Sequence, residues 1–399
     1  MAQTTSRRSV GAEVLVTASS DPGVAALREW DRLVATTAGT DVAQTSAWAG
    51  VRRQAGFTPI FVFAHSAGRL VGGALVLHRR LPGVGDIGYV PYGPVVCVDG
   101  PRAATEAALC SALAHLTARQ LRALFVQPPQ GGGTTSHRLL ERGFRPSVAG
   151  IAPTASLELD LSAQPELLQM SMSSGTRASI RRASSGDVRV RMAGERDLPV
   201  VADLLAETAA HHRFPPPSLA YLRALHQQLD PGNHIKVFIA EHDGVPVATQ
   251  VLTSCGGVAT LRLTGMRRAA AAATGAPALL QWETILRARA NGYHTFDFGG
   301  ISPPAVDAVR AGRADLAARV NGRDYFKASF GGRPFRYPPA VELFSSTAAR
   351  ICYDLARRSE LGRRVIRRVR THLRTGGVAR SHHRLRCEQR EYAAGEHAQ

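Results

Sequence analysis

The feature that most constrains this chain is a repeat. Residues 63–75, Phe-Ala-His-Ser-Ala-Gly-Arg-Leu-Val-Gly-Gly-Ala-Leu, align without a gap on residues 239–251, Ile-Ala-Glu-His-Asp-Gly-Val-Pro-Val-Ala-Thr-Gln-Val. Each copy has an apolar strand, a turn closing on glycine (Gly68 and Gly244) and a returning strand. The flanks repeat as well. Residues 22–39 and 45–55 have helical character before the first hairpin, and residues 198–210 and 218–229 before the second. Past each hairpin come an extended segment, a long helix (104–122 and 278–291) and a short strand (124–127 and 295–298). One α–α–β–β–β–α–β unit therefore occurs twice, and the chain is expected to fold as two copies of it.

That unit resembles the acetyltransferase-type (GNAT) fold in duplicate. The expected class is α/β of the α+β kind, with a first GNAT-like subdomain over 13–150 and a second over 151–345. A basic helix is expected over 346–375, with helical character already from Val341, and residues 1–12 and 376–399 are expected to be disordered tails. Inside the junction, 154–161 alternates as a strand and 164–172 has helical character. No run of about 18 uncharged apolar residues occurs, and the start of the sequence lacks the apolar core of a signal peptide. Five scattered cysteines have neither paired nor metal spacing, so no metal site is expected and the thiols are expected to be idle in a cytoplasmic setting. Net charge is +18, carried almost wholly by arginine, which favours a polyanionic partner: nucleic acid, anionic lipid or a diphosphate-bearing substrate.

Chemistry concentrates between residues 291 and 332. Phe296-Asp297-Phe298 ends in Gly299-Gly300, and Tyr325-Phe326-Lys327-Ala328-Ser329-Phe330 ends in Gly331-Gly332. Paired glycines let backbone approach closely, either to a ligand or to another segment of chain. A lysine among aromatic residues is suited to stabilising charge in an acyl transfer, or else it snorkels from a buried strand. Asp297 is suited to orienting a group or to an internal ion pair. Arg177, Arg181 and Arg182 stand at i, i+4 and i+5, and guanidinium groups fit phosphate. Gln44, Trp48 and Arg52 share four-residue spacing, which would place them on one helix face. Tyr92 lies in the rigid Tyr-Val-Pro-Tyr-Gly-Pro-Val turn, either cleft lining or plain structure. No Walker loop, GxGxxG, GxSxG or HExxH is present. The segment after Met266 occupies the position of an acetyltransferase pyrophosphate loop but lacks its glycine spacing, which argues against coenzyme A as donor.

These pieces resemble the Fem family, aminoacyl-tRNA-dependent transferases that add amino acids to peptidoglycan precursors. The resemblance spans about residues 40–345 through QTSAW, YGPVV, VQPP, TRASIRRA, LLQWETILRARANGYHTFDFGGI and YFKASFGG, in that order. It implies two GNAT-like subdomains in a compact form without the coiled-coil arm of some members. It also implies an aminoacyl-tRNA donor, a UDP-linked or lipid-linked muropeptide acceptor and no cofactor. By position, Lys327 matches the family's essential lysine and Arg52 a residue that holds precursor phosphate. Trp48, Tyr92, Arg177, Arg181, Arg182, Phe326 and Asp297 complete the expected substrate-binding set. The pattern departs at His211 and His212, where relatives carry arginine. Three alternatives stay open: a small peptide or antibiotic intermediate as acceptor, an acyl-CoA-dependent N-acyltransferase, or a non-catalytic tRNA or membrane adaptor. The expected site of action is the cytoplasm, with peripheral contact to an anionic membrane.

Overall fold

The computed structural model describes residues 13–313 and 322–375; the expected tails lie outside the described residues. The chain opens with β1 (Leu15–Ser19), α1 (Val24–Thr36), α2 (Ser46–Gln54), β2 (Thr58–Ser66), β3 (Arg69–Leu81), β4 (Gly85–Val90) and β5 (Val95–Val96). It continues through α3 (Arg102–Gln120), β6 (Ala123–Val126), α4 (Gly133–Glu141), β7 (Arg145–Pro146), β8 (Ala155–Asp160), α5 (Pro165–Met170), α6 (Ser174–Ser185) and β9 (Val188–Ala193). Next come α7 (Leu198–His212), α8 (Leu219–Leu229), β10 (Ile235–His242), β11 (Val245–Cys255), β12 (Val258–Met266), α9 (Arg268–Thr274) and α10 (Ala276–Ala290). The last elements are β13 (Thr295–Asp297), α11 (Pro303–Arg310), α12 (Gly322–Ala328), β14 (Arg333–Arg336), β15 (Val341–Phe344), α13 (Thr347–Arg358) and α14 (Glu360–Thr375).

Two compact units result. The first combines most of residues 13–154 with 336–366; the second combines 155–335 with 50–56 and the end of α14. The first sheet runs β1-β2-β3-β4-β6-β15-β7, with β5 beside β3, and the second β14-β8-β13-β12-β11-β10-β9. In each, an antiparallel meander is followed by one parallel step across a helical crossover, β4 to β6 and β12 to β13. An antiparallel strand then pairs with that last one, β15 on β6 and β8 on β13.

The duplication holds at the level of single residues. Both hairpin turns put their two central residues at positive φ, Ala67 and Gly68 at 49° and 76°, Asp243 and Gly244 at 51° and 74°. That is the primed turn whose twist suits a two-residue hairpin. Both hairpins slip register at the same aligned place, between Ala64 and His65 and between Ala240 and Glu241. In β2, residues 59–64 are buried without alternation, because helices cover both faces of the sheet.

Sequence expectation and structure part at the C-terminal end. Residues 341–344 form the strand β15 in the first sheet, not the start of a helix within the second subdomain. The helix expected beyond it is broken at Ser359, whose extended backbone separates α13 from α14. Gln44 does not share a helix with Trp48 either. It lies in a short 3-10 turn before α2, buried, with its side chain bound to the Pro91 carbonyl and the Leu75 amide. No helix among the described residues is long and apolar enough to cross a membrane.

Candidate active site

The second unit brings the two Gly-Gly segments together. Asp297 ends β13, and its Oδ1 accepts the Gly299 amide at 2.8 Å and the Ser156 hydroxyl from β8. This bend turns the Gly299 and Gly300 carbonyls toward α12. There Lys327 Nζ donates to Gly300 O at 2.9 Å and to Gly299 O at 3.2 Å. Gly299 needs to be glycine. Its φ is 71°, and a Cβ would stand 2.6 Å from the Leu261 carbonyl oxygen. Gly331 and Gly332 likewise meet chain: a Cβ would lie 2.6 Å from Ser171 Oγ at one and 2.8 Å from Glu158 O at the other. Gly299, Gly331 and Gly332 thus serve close approach between segments of this chain.

Burial pulls the Lys327 ammonium down to about 8, with Arg323 adding to the effect and Asp297 and Asp324 opposing it. Two of its three N–H donors are held by the glycine carbonyls, which leaves one directed elsewhere. Asp297 is 5% exposed, and burial raises its carboxyl above the ordinary range. It is a positioning group for the glycine turn and does not face solvent, so its expected contact with substrate has no open approach. Phe326 packs edge-on against Phe330, ring centroids 5.2 Å apart, and Phe298 meets Phe330 at 6.1 Å. Lys327 sits on a helix, and the aromatic residues beside it pin that helix to β13.

The TRASIRRA segment joins the same cluster through its first turn. Ser173 caps α6 by accepting the Thr176 amide, and Thr176 Oγ1 donates to Ser329 Oγ at 2.7 Å. Arg177 turns back onto α5 and donates to the Met172 carbonyl at 2.5 Å, stabilising the negative end of that helix. Arg181 and Arg182 line a different place, an open cleft of about 600 Å³ whose walls include Ser184, Ser185 and Trp282 but neither Lys327 nor the glycine turn. Arg52 is 1% exposed, and its guanidinium donates to the Leu373 carbonyl at 2.5 Å. In the first unit, Trp48 is half-buried and its amide is accepted by the Thr45 hydroxyl, so Thr45 caps α2 as the sequence suggested. Tyr92, also in that unit, is buried at φ 51° with its ring 5.1 Å from that of Tyr337.

Sequence reasoning missed Ser156, Arg323, Asp324 and the Thr176–Ser329 bond. Ser156 and Asp297 are 141 residues apart, so no local pattern links them. Thr176 and Ser329 did carry a signal, since both lie inside quoted motifs.

The segment after Met266, expected by resemblance to stand where an acetyltransferase carries its pyrophosphate loop, folds as α9 and leads into α10, whose first donors are taken. The Ala276 amide reaches Thr274 Oγ1, residue 277 is proline, and the Ala278 and Leu279 amides reach Gly275 O. Gly275 is also pressed against α6, where a Cβ would lie 2.7 Å from Ser179 O. Free N–H groups are what make a helix start an anion site, and this one has none to offer.

Comparison with known proteins bears on the fold. Residues 171–327 match the acetyltransferase (GNAT) domain. FemX superposes with a TM-score of 0.69 at 17% identity, over 82% of this chain and 98% of FemX. The C-terminal domain of a putative lysylphosphatidylglycerol synthetase from Agrobacterium fabrum superposes at 0.50 with 18% identity, over 82% of this chain and 94% of its own. A tandem GNAT protein from the clavulanic acid biosynthesis pathway does so at 0.50 with 16% identity, over 84% and 99%. No curated protein matches by sequence. The fold is thus that of a tandem GNAT protein. FemX, on which most of this chain superposes, shares that fold.

Proposed function

We propose that this chain is an aminoacyltransferase that moves an amino acid from aminoacyl-tRNA to an amine of a peptidoglycan precursor. The observation that carries the reading is the lysine cradle: a half-buried ammonium fixed on two carbonyls with one donor directed elsewhere. The acceptor amine, as free base, attacks the ester carbonyl. A C–N bond forms and the carbonyl pair moves to oxygen. Collapse breaks the C–O bond to the ribose, whose oxygen takes the proton released by nitrogen. Lys327 donates its third N–H to the oxygen on which charge develops. Because the ester is already activated, orientation and charge stabilisation suffice and no protein nucleophile is needed. The occupied donors at the start of α10 favour a donor other than coenzyme A in this unit. The +18 charge suits tRNA.

The test is transfer of labelled amino acid from charged total tRNA to a UDP-linked muropeptide, by wild type and by Lys327→Met. Label in the muropeptide that disappears in the variant supports donor, acceptor and site together. Transfer from acyl-CoA with none from tRNA overturns the reading. Transfer from tRNA to a small peptide in place of muropeptide keeps the donor and replaces the acceptor.

A further inference from the structure

The first unit ends in a surface that neither the fold nor the proposed chemistry uses. On α13, Ala349 and Tyr353 turn inward, and the Tyr353 ring lies 5.0 Å from Phe344 of β15. Ile351 and Leu355 stand two positions further on, about 200° round the helix, and are 50% and 57% exposed. On α14, Leu361 and Val365 are 73% and 42% exposed. Four large apolar side chains thus face outward within fifteen residues. Arg350, Arg357, Arg358, Arg363 and Arg364 are interspersed among them, all exposed. The acids in the same run are Asp354, which is clamped by Arg145 at 2.7 and 2.8 Å, and Glu360, which faces Arg364 at 4.0 Å.

The segment is held in shape. Ser346 caps α13 by accepting the Ala349 amide, and Ser359 accepts the Gly362 amide at the break. Gly362 lets α14 start against α13, since a Cβ there would lie 2.0 Å from the Ala356 carbonyl oxygen. The Arg145 clamp fixes α13 to the sheet. The outward apolar residues are therefore presented by a braced element.

We propose that α13 and the first turns of α14 form a docking surface for an anionic lipid bilayer. Apolar side chains flanked by arginines are what an interfacial helix needs: the former enter the acyl boundary and the latter meet anionic headgroups. An RNA surface would use the arginines but leave Ile351, Leu355, Leu361 and Val365 without a role. Single-stranded RNA also stacks on exposed aromatic rings, and Tyr353, the one aromatic residue between 347 and 366, points inward.

The experiment is co-sedimentation of the full chain with vesicles of phosphatidylcholine alone and of phosphatidylcholine with phosphatidylglycerol. Wild type binds the anionic vesicles and not the neutral ones. Leu355→Ser with Leu361→Ser weakens binding at least tenfold, and Arg363→Gln with Arg364→Gln weakens it several-fold. Both variants melt close to wild type, because the replaced side chains are exposed and the one bond given up, from Arg363 to the Arg358 carbonyl, lies at the surface. Absence of binding to anionic vesicles overturns the proposal. So does binding that total tRNA displaces and that the serine variant leaves intact, since the segment is then a polyanion site. So does a dimer that the serine variant dissolves while vesicles bind neither form, since the apolar face then belongs to a second copy.

Discussion

Replacing Lys327 by methionine separates a catalytic lysine from a structural one. Burial draws its ammonium from 10.5 to about 8, so at pH 7 the folded protein still carries the charge, at a cost. A shift of this size corresponds to about 3 kcal/mol at most. The side chain is only partly buried, and methionine forfeits the bonds to Gly299 O and Gly300 O, each worth roughly 1 kcal/mol. The net expectation for Lys327→Met is a gain of about 1 kcal/mol at pH 7 alongside loss of transfer. The pH profile is the sharper signature. Below about 8 both folded and unfolded states hold the proton, and the full penalty is present. Between about 8 and 10.5 the folded state releases it first, so wild-type stability rises with pH while the variant's does not. The variant's advantage is therefore widest below pH 8, shrinks above it and reverses once the folded lysine is neutral, because wild type keeps its two bonds. Thermal melts of both proteins across this range measure the gap, and single-turnover transfer measures the chemistry. Loss of one charge-stabilising donor is expected to lower kcat about 10²–10³-fold with little change in KM. A variant that melts several degrees lower at every pH, with a gap that ignores pH, would refute the reasoning and make Lys327 a structural residue.

Three further outcomes follow from the same geometry. Asp297→Asn keeps an acceptor for the Gly299 amide and retains most transfer, whereas Asp297→Ala releases the turn and loses both activity and about 1–2 kcal/mol, read by paired kinetics and melts. Gly299→Ala forces a Cβ to within 2.6 Å of a main-chain oxygen at positive φ, so it lowers the melting temperature by several degrees. Arg145→Met leaves Glu342, 1% exposed, without its ion-pair partner, the Ser147 hydroxyl alone remaining, and costs about 3 kcal/mol at pH 8. The loss is smaller at pH 5, because burial already raises the Glu342 carboxyl and protonation then removes the stranded charge.

Much of this fold was legible because its signals are local. The two hairpins announce themselves through apolar runs and a turn glycine, and even their register slips fall at aligned positions. That the two Gly-Gly motifs meet was legible in part, since Lys327 and Phe330 of one reach Gly299, Gly300 and Phe298 of the other. The misses involve partners far apart in sequence. In β15, a buried glutamate at the second of four positions breaks the apolar pattern, and its partners Arg145 and Ser147, 197 and 195 residues earlier, make it tolerable there. Without those partners in view, Val-Glu-Leu-Phe merges with the amphipathic helix that follows. Arg52 was expected, by its position in the resemblance, to hold a phosphate; its carbonyl partner lies 321 residues away.

The position of β15 between β6 and β7 governs the order in which this chain can mature. A ribosome that has released residues 13–154 has made a sheet that stops at β6, a bare edge until residue 344 emerges, while β7 pairs only with β15. The second unit, in contrast, draws its own added strand, β8, from chain made just before it. The sheet begun first is therefore completed last. A fragment cut at residue 154 is expected to aggregate or recruit a foreign strand, and a fragment retaining 336–366 through a short linker is the one to express.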